Sequence, residues 1–245
     1  MSNSPLVSYT KISPNRTSPR NHKIDTITIH CVVGQCTVER LGEEFAPIER
    51  RGSSNYGIGY DGRIGMYCEE KDRSWCSSSS SNDNRAITIE VASDTFDPYA
   101  VTDKAFASLI DLVEDICRRN NIKELRWEAD PSLIGQIDKQ NMTAHRWFAP
   151  TECPGDYLFD RFGEIADEVN SRLFAGAEDE RSENDDVATY DNEPDDWAKE
   201  AVEWAAMNEI LFGDEHGDYK LHKNCTRQEM LVFLYRVYQK IRDIK

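Results

Sequence analysis

The chain has 245 residues, 39% of them hydrophobic, and a formal net charge of −16. Such a charge argues against a general binder of phosphate backbones, which needs a basic face, and no apolar run approaches the roughly 20 residues of a membrane span. Neither nucleic acid nor membrane is therefore an expected partner, and the length points to one sizeable domain with a small one beside it.

In chain order, the opening segment MSNSPLVSYTKISPNRTSPRNHK lacks the apolar core of a secretory signal, so the expected location is cytoplasmic. Residues 24–32, IDTITIHCV, have the β-branched composition of a strand. YGIGY followed by DGRIGMY reads as a hairpin with Asp61-Gly62 at its turn. AITIEVA, 86–92, is a further strand. The run 102–120 has apolar residues at 106, 109, 110, 113 and 116, which is helical spacing, with Thr102 as N-cap. A second amphipathic helix is expected over 156–173. Strands and helices in one chain predict an α/β layer fold with helices packed on a sheet.

Segment 174–196 holds ten acidic residues and one basic residue, Arg181, and reads as a solvated, self-repelling linker. Beyond it, DDWAKEAVEWAAMNEILFGD and TRQEMLVFLYRVYQKI carry helical periodicity on either side of GDEHGDYK, a helix–loop–helix unit. The expected organisation is therefore a domain at 1–173, a linker at 174–196 and an all-α module at 197–245.

Seven cysteines, at 31, 36, 68, 76, 117, 153 and 225, are an odd number, which fits thiols better than a disulfide framework. Cys153 stands out because AHRWFAPTECPG, residues 144–155, sets it eight positions from His145 on a proline-stiffened loop. A catalytic zinc takes three nitrogen or sulfur ligands and leaves one position open. His145 and Cys153 would supply two, and His30, at the end of TITIH, the third. On spacing alone, a buried histidine and an unrelated thiol remain an open alternative. Cys31 faces away from a ligand at 30 and belongs in the core. Cys68, Cys76 and Cys117 are expected as buried free thiols, and Trp127 and Trp147 as packing residues.

TITIHCV, NYGIGYDGRIG, AITIEVA and HRWFAPTECPG, in that order, resemble the type 2 N-acetylmuramoyl-L-alanine amidases, a family that includes phage endolysins and peptidoglycan recognition proteins. The resemblance covers residues 20–173 and implies a mixed central sheet flanked by helices. It implies Zn2+ held by His30, His145 and Cys153, and hydrolysis of the amide between N-acetylmuramic acid and L-alanine in peptidoglycan. It further implies that Glu90 orients or deprotonates water and that Tyr56 donates to the tetrahedral oxygen. Thr151 takes a position where several relatives carry Lys and catalytic recognition proteins carry Thr. A hydroxyl there donates a hydrogen bond but brings no charge. Trp75, Ser79 and Asn82, from the polar loop 72–85, are candidates for lining a substrate groove.

Residues 195–242 resemble a single S-layer homology motif, through Trp197, Ala201, Trp204, Ala205, Gly213, Gly217, Tyr219 and TRQE at 226–229. This implies attachment to a secondary cell-wall polymer, with Arg227 meeting an anionic group and Trp197 stacking or packing. Such motifs commonly work in threes, and the chain has one. It would bind alone, dock on the first domain, or be multiplied in a homo-oligomer. Together these readings predict a phage or prophage endolysin, cytoplasmic until lysis. A bacterial autolysin, a cytosolic wall-recycling amidase and a non-catalytic peptidoglycan binder are the alternatives.

Overall fold

The computed structural model describes residues 2–182, 190–214, 216–223 and 225–243. The chain divides into two compact units, Met1–Glu180 and Arg181–Lys245.

The first unit is built on eight strands: β1 Tyr9–Thr10, β2 Arg16–Thr17, β3 Thr26–Val33, β4 Tyr56–Ile58, β5 Ile64–Met66, β6 Arg73–Ser74, β7 Ala86–Ser93 and β8 Met142–Ala144. Six of them form one sheet in the order β1-β5-β4-β7-β3-β8, while β2 and β6 pair separately. At its centre β3 runs parallel to both β7 and β8, and β4 runs parallel to β7. The β4–β5 hairpin is antiparallel, so the sheet is mixed, as the resemblance implies. Gly62 turns that hairpin at φ +84, where a Cβ would stand 2.9 Å from the Ser108 hydroxyl.

Five helices belong to this unit: α1 Val38–Phe45, α2 Ser80–Arg85, α3 Asp103–Arg119, α4 Asp156–Phe159 and α5 Phe162–Ser182. Thr102 caps α3, its hydroxyl accepting from the Ala105 amide at 3.1 Å. The helix expected over 156–173 is two helices, broken after Phe159. The second continues to Ser182, so the expected linker starts as helix. Its Ala-, Glu- and Arg-containing sequence favours helix despite the charge. Residues 183–189 of that linker lie outside the described residues.

Alternation along the central strands sorts the two faces of the sheet. Ile27, Ile29 and Cys31 of β3, Ile87, Ile89 and Val91 of β7, and Tyr56 and Ile58 of β4 join one apolar cluster. Leu109, Leu112, Val113 and Ile116 of α3 and Phe162, Ile165 and Val169 of α5 complete it. The other face is polar although buried. Thr28, His30, Thr88 and Thr143 have at most 3% of their surface exposed. Asn82 of α2 ties that face together, donating to Thr28 and accepting from Thr143, each at 3.0 Å. Burying polar groups favours pairing each of them; Thr28 and Thr143 find Asn82 and Thr88 finds Ser74, while one nitrogen of His30 has no partner among the described residues.

The second unit contains α6 Lys199–Met207 and α7 Arg227–Asp243, the expected pair. Its ordering contacts are polar: Arg236 donates to the Ile210 carbonyl at 2.8 Å and lies 4.7 Å over the Phe212 ring.

Candidate active site and metal centre

The polar face opens at the C-terminal end of the parallel strands. His30 is the fifth residue of β3 and is fully buried. Ala144 of β8 pairs with Ile29, so His145, one residue on, emerges beside His30. Their rings lie 5.0 Å apart. The chain then folds back. Arg146 donates its amide to the Cys153 carbonyl at 3.0 Å, and Gly155, at φ +80, lets the backbone pass where a Cβ would stand 2.6 Å from Tyr99. Trp147 stacks on Trp127 at 5.1 Å, anchoring the loop in the apolar cluster. The result puts the Cys153 sulfur 3.4 Å from His30 Nδ1. One ligand atom from each of His30, His145 and Cys153 lies within 4.8 Å of the others.

These residues fit a zinc ion. Burial, with the neighbouring His145 ring, pulls the His30 pKa down to about 3, and burial lowers that of His145 as well. Both imidazoles are therefore neutral, the state that binds metal. The Cys153 thiol, hydrogen-bonded to the Cys31 thiol and buried, is held well above the usual thiol range. It needs a cation beside it to ionise. His30 Nδ1, the nitrogen that faces the Cys153 sulfur at 3.4 Å, is the one placed to meet such an ion.

Glu90 stands next to this set because β7 pairs with β3 in the register His30↔Glu90. The Cys76 thiol reaches one of its oxygens at 3.7 Å, and the other is buried without a partner among the described residues. Burial first, and the nearby Cys31 sulfur second, push the Glu90 carboxyl up to about 8. One atom each of His30, Cys76 and Glu90 also falls within 4.8 Å. Glu90 and His145 open on a cleft of about 430 Å3, bordered by Trp75, Ser78 and Ser79.

A profile of the family described as N-acetylmuramoyl-L-alanine amidase matches residues 20–156, more than half of the chain. The chain belongs to that family. Solved structures similar to this amidase include the endolysin N-acetylmuramoyl-L-alanine amidase LysCS from Clostridium intestinale URNW, at 20% identity and a TM-score of 0.45, covering 69% of this chain and 93% of that one. The catalytic domain of XlyA matches at 16% identity and a TM-score of 0.48, covering 66% and 97%. Wild-type Drosophila PGRP-LB matches at 16% and 0.47, covering 62% and 90%. Comparison with curated proteins yields no match.

Two expectations for the amidase site need correction. Tyr56 does not face the metal set. It pairs laterally with Ile89 while Gly57 pairs with Glu90, and lateral neighbours share a face, so the phenol points into the apolar cluster. There its hydroxyl donates to Glu70 at 2.7 Å and accepts from the Ser4 amide at 2.9 Å. Asn82 does not line the groove but crosslinks the buried strands beneath it. Thr151 is on the ligand loop, its hydroxyl oxygen accepting from the Cys153 amide at 3.2 Å. Trp75 borders the cleft with its indole N–H donating to Thr17 at 2.9 Å, and Ser79 caps α2 there.

Sequence reasoning missed Cys76 and Ser78. The Ser78 hydroxyl lies 3.2 Å from His145 Nε2, holding one nitrogen of the ring so that the other can serve the metal. The available signal was their place in WCSSSS, just ahead of the Glu90 strand. In the second unit Trp197 is 87% exposed, its indole N–H donating to Asp195 at 3.3 Å, and Arg227 is exposed at the start of α7.

Proposed function

We propose that the chain is a zinc-dependent N-acetylmuramoyl-L-alanine amidase acting on peptidoglycan as an endolysin. The observation that carries the reading is the meeting of two neutral imidazoles and one thiol within 4.8 Å, beside the partly unpartnered carboxyl of Glu90. His30, His145 and Cys153 would hold the ion. Bound there, zinc supplies Lewis acidity toward the amide carbonyl and lowers the pKa of a water. Glu90 takes the proton from the attacking water and returns it to the departing amine of L-alanine. The cation beside it would favour the ionised carboxylate that accepts this proton. Thr151 has its oxygen engaged by the Cys153 amide and its proton free, so it donates to the developing oxyanion. Cys76 orients the Glu90 carboxyl and Ser78 orients His145. The intact donor set with an adjacent proton carrier favours hydrolysis over binding alone.

The second unit would attach the enzyme to a secondary cell-wall polymer through Trp197 and Arg227, and would gain strength if a homo-oligomer multiplied it. Before lysis the protein would stay in the cytoplasm and afterwards act on the wall. The test is digestion of purified walls. New L-alanine amino groups without new reducing sugar ends are the expected products, and reducing ends alone would mean a glycosidase.

A further inference from the structure

The cleft that opens on Glu90 and His145 also includes Arg50, Arg51 and Arg73 in its lining. Arg50 borders in addition an adjoining cavity of about 470 Å3 that shares Glu90. In a chain with 45 acidic and 29 basic residues, arginines find carboxylates readily. Arg16 pairs with Asp72, Arg63 with Glu39, Arg85 with Asp25, Arg146 with Asp156 and Arg172 with Asp111. Arg50, Arg51 and Arg73 enter no ion pair among the described residues. The carboxylates that share their cleft are Asp83 and Glu90. Asp83 is already taken up by the Cys76 amide at 3.0 Å and the Ser77 hydroxyl at 2.6 Å.

The arginines sit on a braced wall. Arg50 ends a short 3-10 turn, Ile48–Arg50, and Arg51 follows at φ +51, a left-handed conformation that glycine takes more easily. Two residues on, the Ser53 amide donates to the Trp75 carbonyl at 3.0 Å, and the Trp75 amide donates to the Ser53 hydroxyl at 3.2 Å. Arg73 donates to Thr17 at 2.6 Å. Segments 50–53 and 73–75 are thus fastened to each other and to β2, which sets the backbone positions from which the exposed Arg50 and Arg51 side chains reach the cleft, while the Arg73 guanidinium is held on Thr17.

We propose that Arg50, Arg51 and Arg73 bind a carboxylate of the stem peptide, so that the enzyme selects stems with a free carboxylate near the scissile amide over stems where it is a carboxamide. The inference rests on the amidase reading above and names a feature of its substrate. The scissile amide must lie by Glu90 and His145, so an anion held in the same cleft is attached within a few bonds of it. A planar guanidinium meets a carboxylate in two parallel hydrogen bonds. A phosphate polymer of the wall presents the same charge but is not joined to the scissile bond, and competition separates the two sources.

The experiment uses the zinc-loaded full chain and two soluble N-acetylmuramoyl-L-alanyl peptides that differ only in one carboxylate or carboxamide on the residue after L-alanine. Wild type should prefer the carboxylate form by about tenfold or more in kcat/KM, chiefly through KM, and the preference should shrink as salt rises. The double variant Arg50→Gln, Arg51→Gln should bring the ratio near one, while Arg118→Gln on the outer surface of α3 should leave the ratio in place. Equal rates for wild type, or a ratio that survives the double variant, overturns the proposal. So does competition by glycerol phosphate oligomers as potent as that of the carboxylate peptide. If neither peptide is hydrolysed, the amidase reading fails separately. Calorimetric titration of the two compounds then decides: tighter binding of the carboxylate form by about tenfold supports the proposal, and equal binding overturns it.

Discussion

From Ile24 to Leu173 the first unit packs a continuous apolar cluster of two helices against a sheet, and many of its side chains are wholly buried. From Tyr190 to Asp243 one described residue, Ile210, is buried. The two units hold similar amphipathic helices. In α3 the apolar stripe has a sheet to cover it. In α7, Leu231, Leu234, Tyr235, Tyr238 and Ile241 stand 58–65% exposed. A helical stripe in the sequence therefore says that a face exists, not that anything covers it. The burial in the first unit also changes chemistry, since it holds His30 neutral and raises Glu90. In the second unit, where water reaches the side chains, His222 is shifted the other way, its pKa raised by the Asp191 carboxylate.

The largest effect that would test this contrast is on activity. Cys153→Ser should lose zinc, measured by elemental analysis, and lower turnover by at least about 10²-fold, more than is lost when a residue that only supports a ligand is changed. Equal zinc in variant and wild type would show that the ligand set is elsewhere.

Stability should follow. Arg119 pairs with the buried Glu70 at 2.6 Å, and Glu70 also accepts from Tyr56. Removing one partner of a buried pair strands the other, so Arg119→Ala should cost about 3–5 kcal/mol in denaturant unfolding. Tyr56→Phe removes one hydrogen bond from the same network and should cost about 1–2 kcal/mol, with turnover within about twofold of wild type because the phenol is far from the cleft. A large fall in kcat with unchanged stability would return Tyr56 to the chemistry.

A third pair of variants compares the helices directly. Ile116→Ala in α3 should cost about 2–5 kcal/mol, whereas Leu234→Ala in α7 should stay within about 0.5 kcal/mol. If Leu234→Ala is as damaging, or lowers the mass seen in sedimentation velocity, the exposed face of α7 is covered in an assembly of chains.

The smallest effect concerns pH. His222 lies 2.5 Å from Asp191, and its folded pKa is raised above the ordinary value of 6.5. The folded state thus binds the proton more tightly than the unfolded state. The pair's contribution is complete below the unfolded pKa and disappears as pH rises through the folded one. Titration of the His222 ring resonances should show a midpoint above 6.5 that falls toward the ordinary value in Asp191→Asn, with Asp195, 3.5 Å from Nε2, keeping part of the shift. An unchanged midpoint in the variant would remove the pair as its cause.

Much of the first unit was legible because its signals are local. TITIH and AITIE are β-branched runs, Thr102 sits one residue ahead of a helical stripe, and Asp61-Gly62 lies between two short strands. The loop that carries His145 and Cys153 stood out by its histidine, cysteine and prolines, but its spacing left a zinc site open, and the resemblance to the amidases supplied the ligand set. Trp127, Tyr99 and His30 position the loop through long-range contacts. What the sequence by itself determined is thus most of the elements, a candidate ligand loop and the excess of acid. Tertiary structure decided which side chains meet. Whether Tyr56 shares a face with Glu90 depends on the register of β4 against β7, set by long-range pairing, and a shift of one residue reverses it. Cys76, Ser78 and Arg50 reach the cleft from connections that only the assembled sheet brings together. The raised Glu90 carboxyl and the lowered His30 imidazole belong to the fold as well, because desolvation exists only once the chain has packed around them.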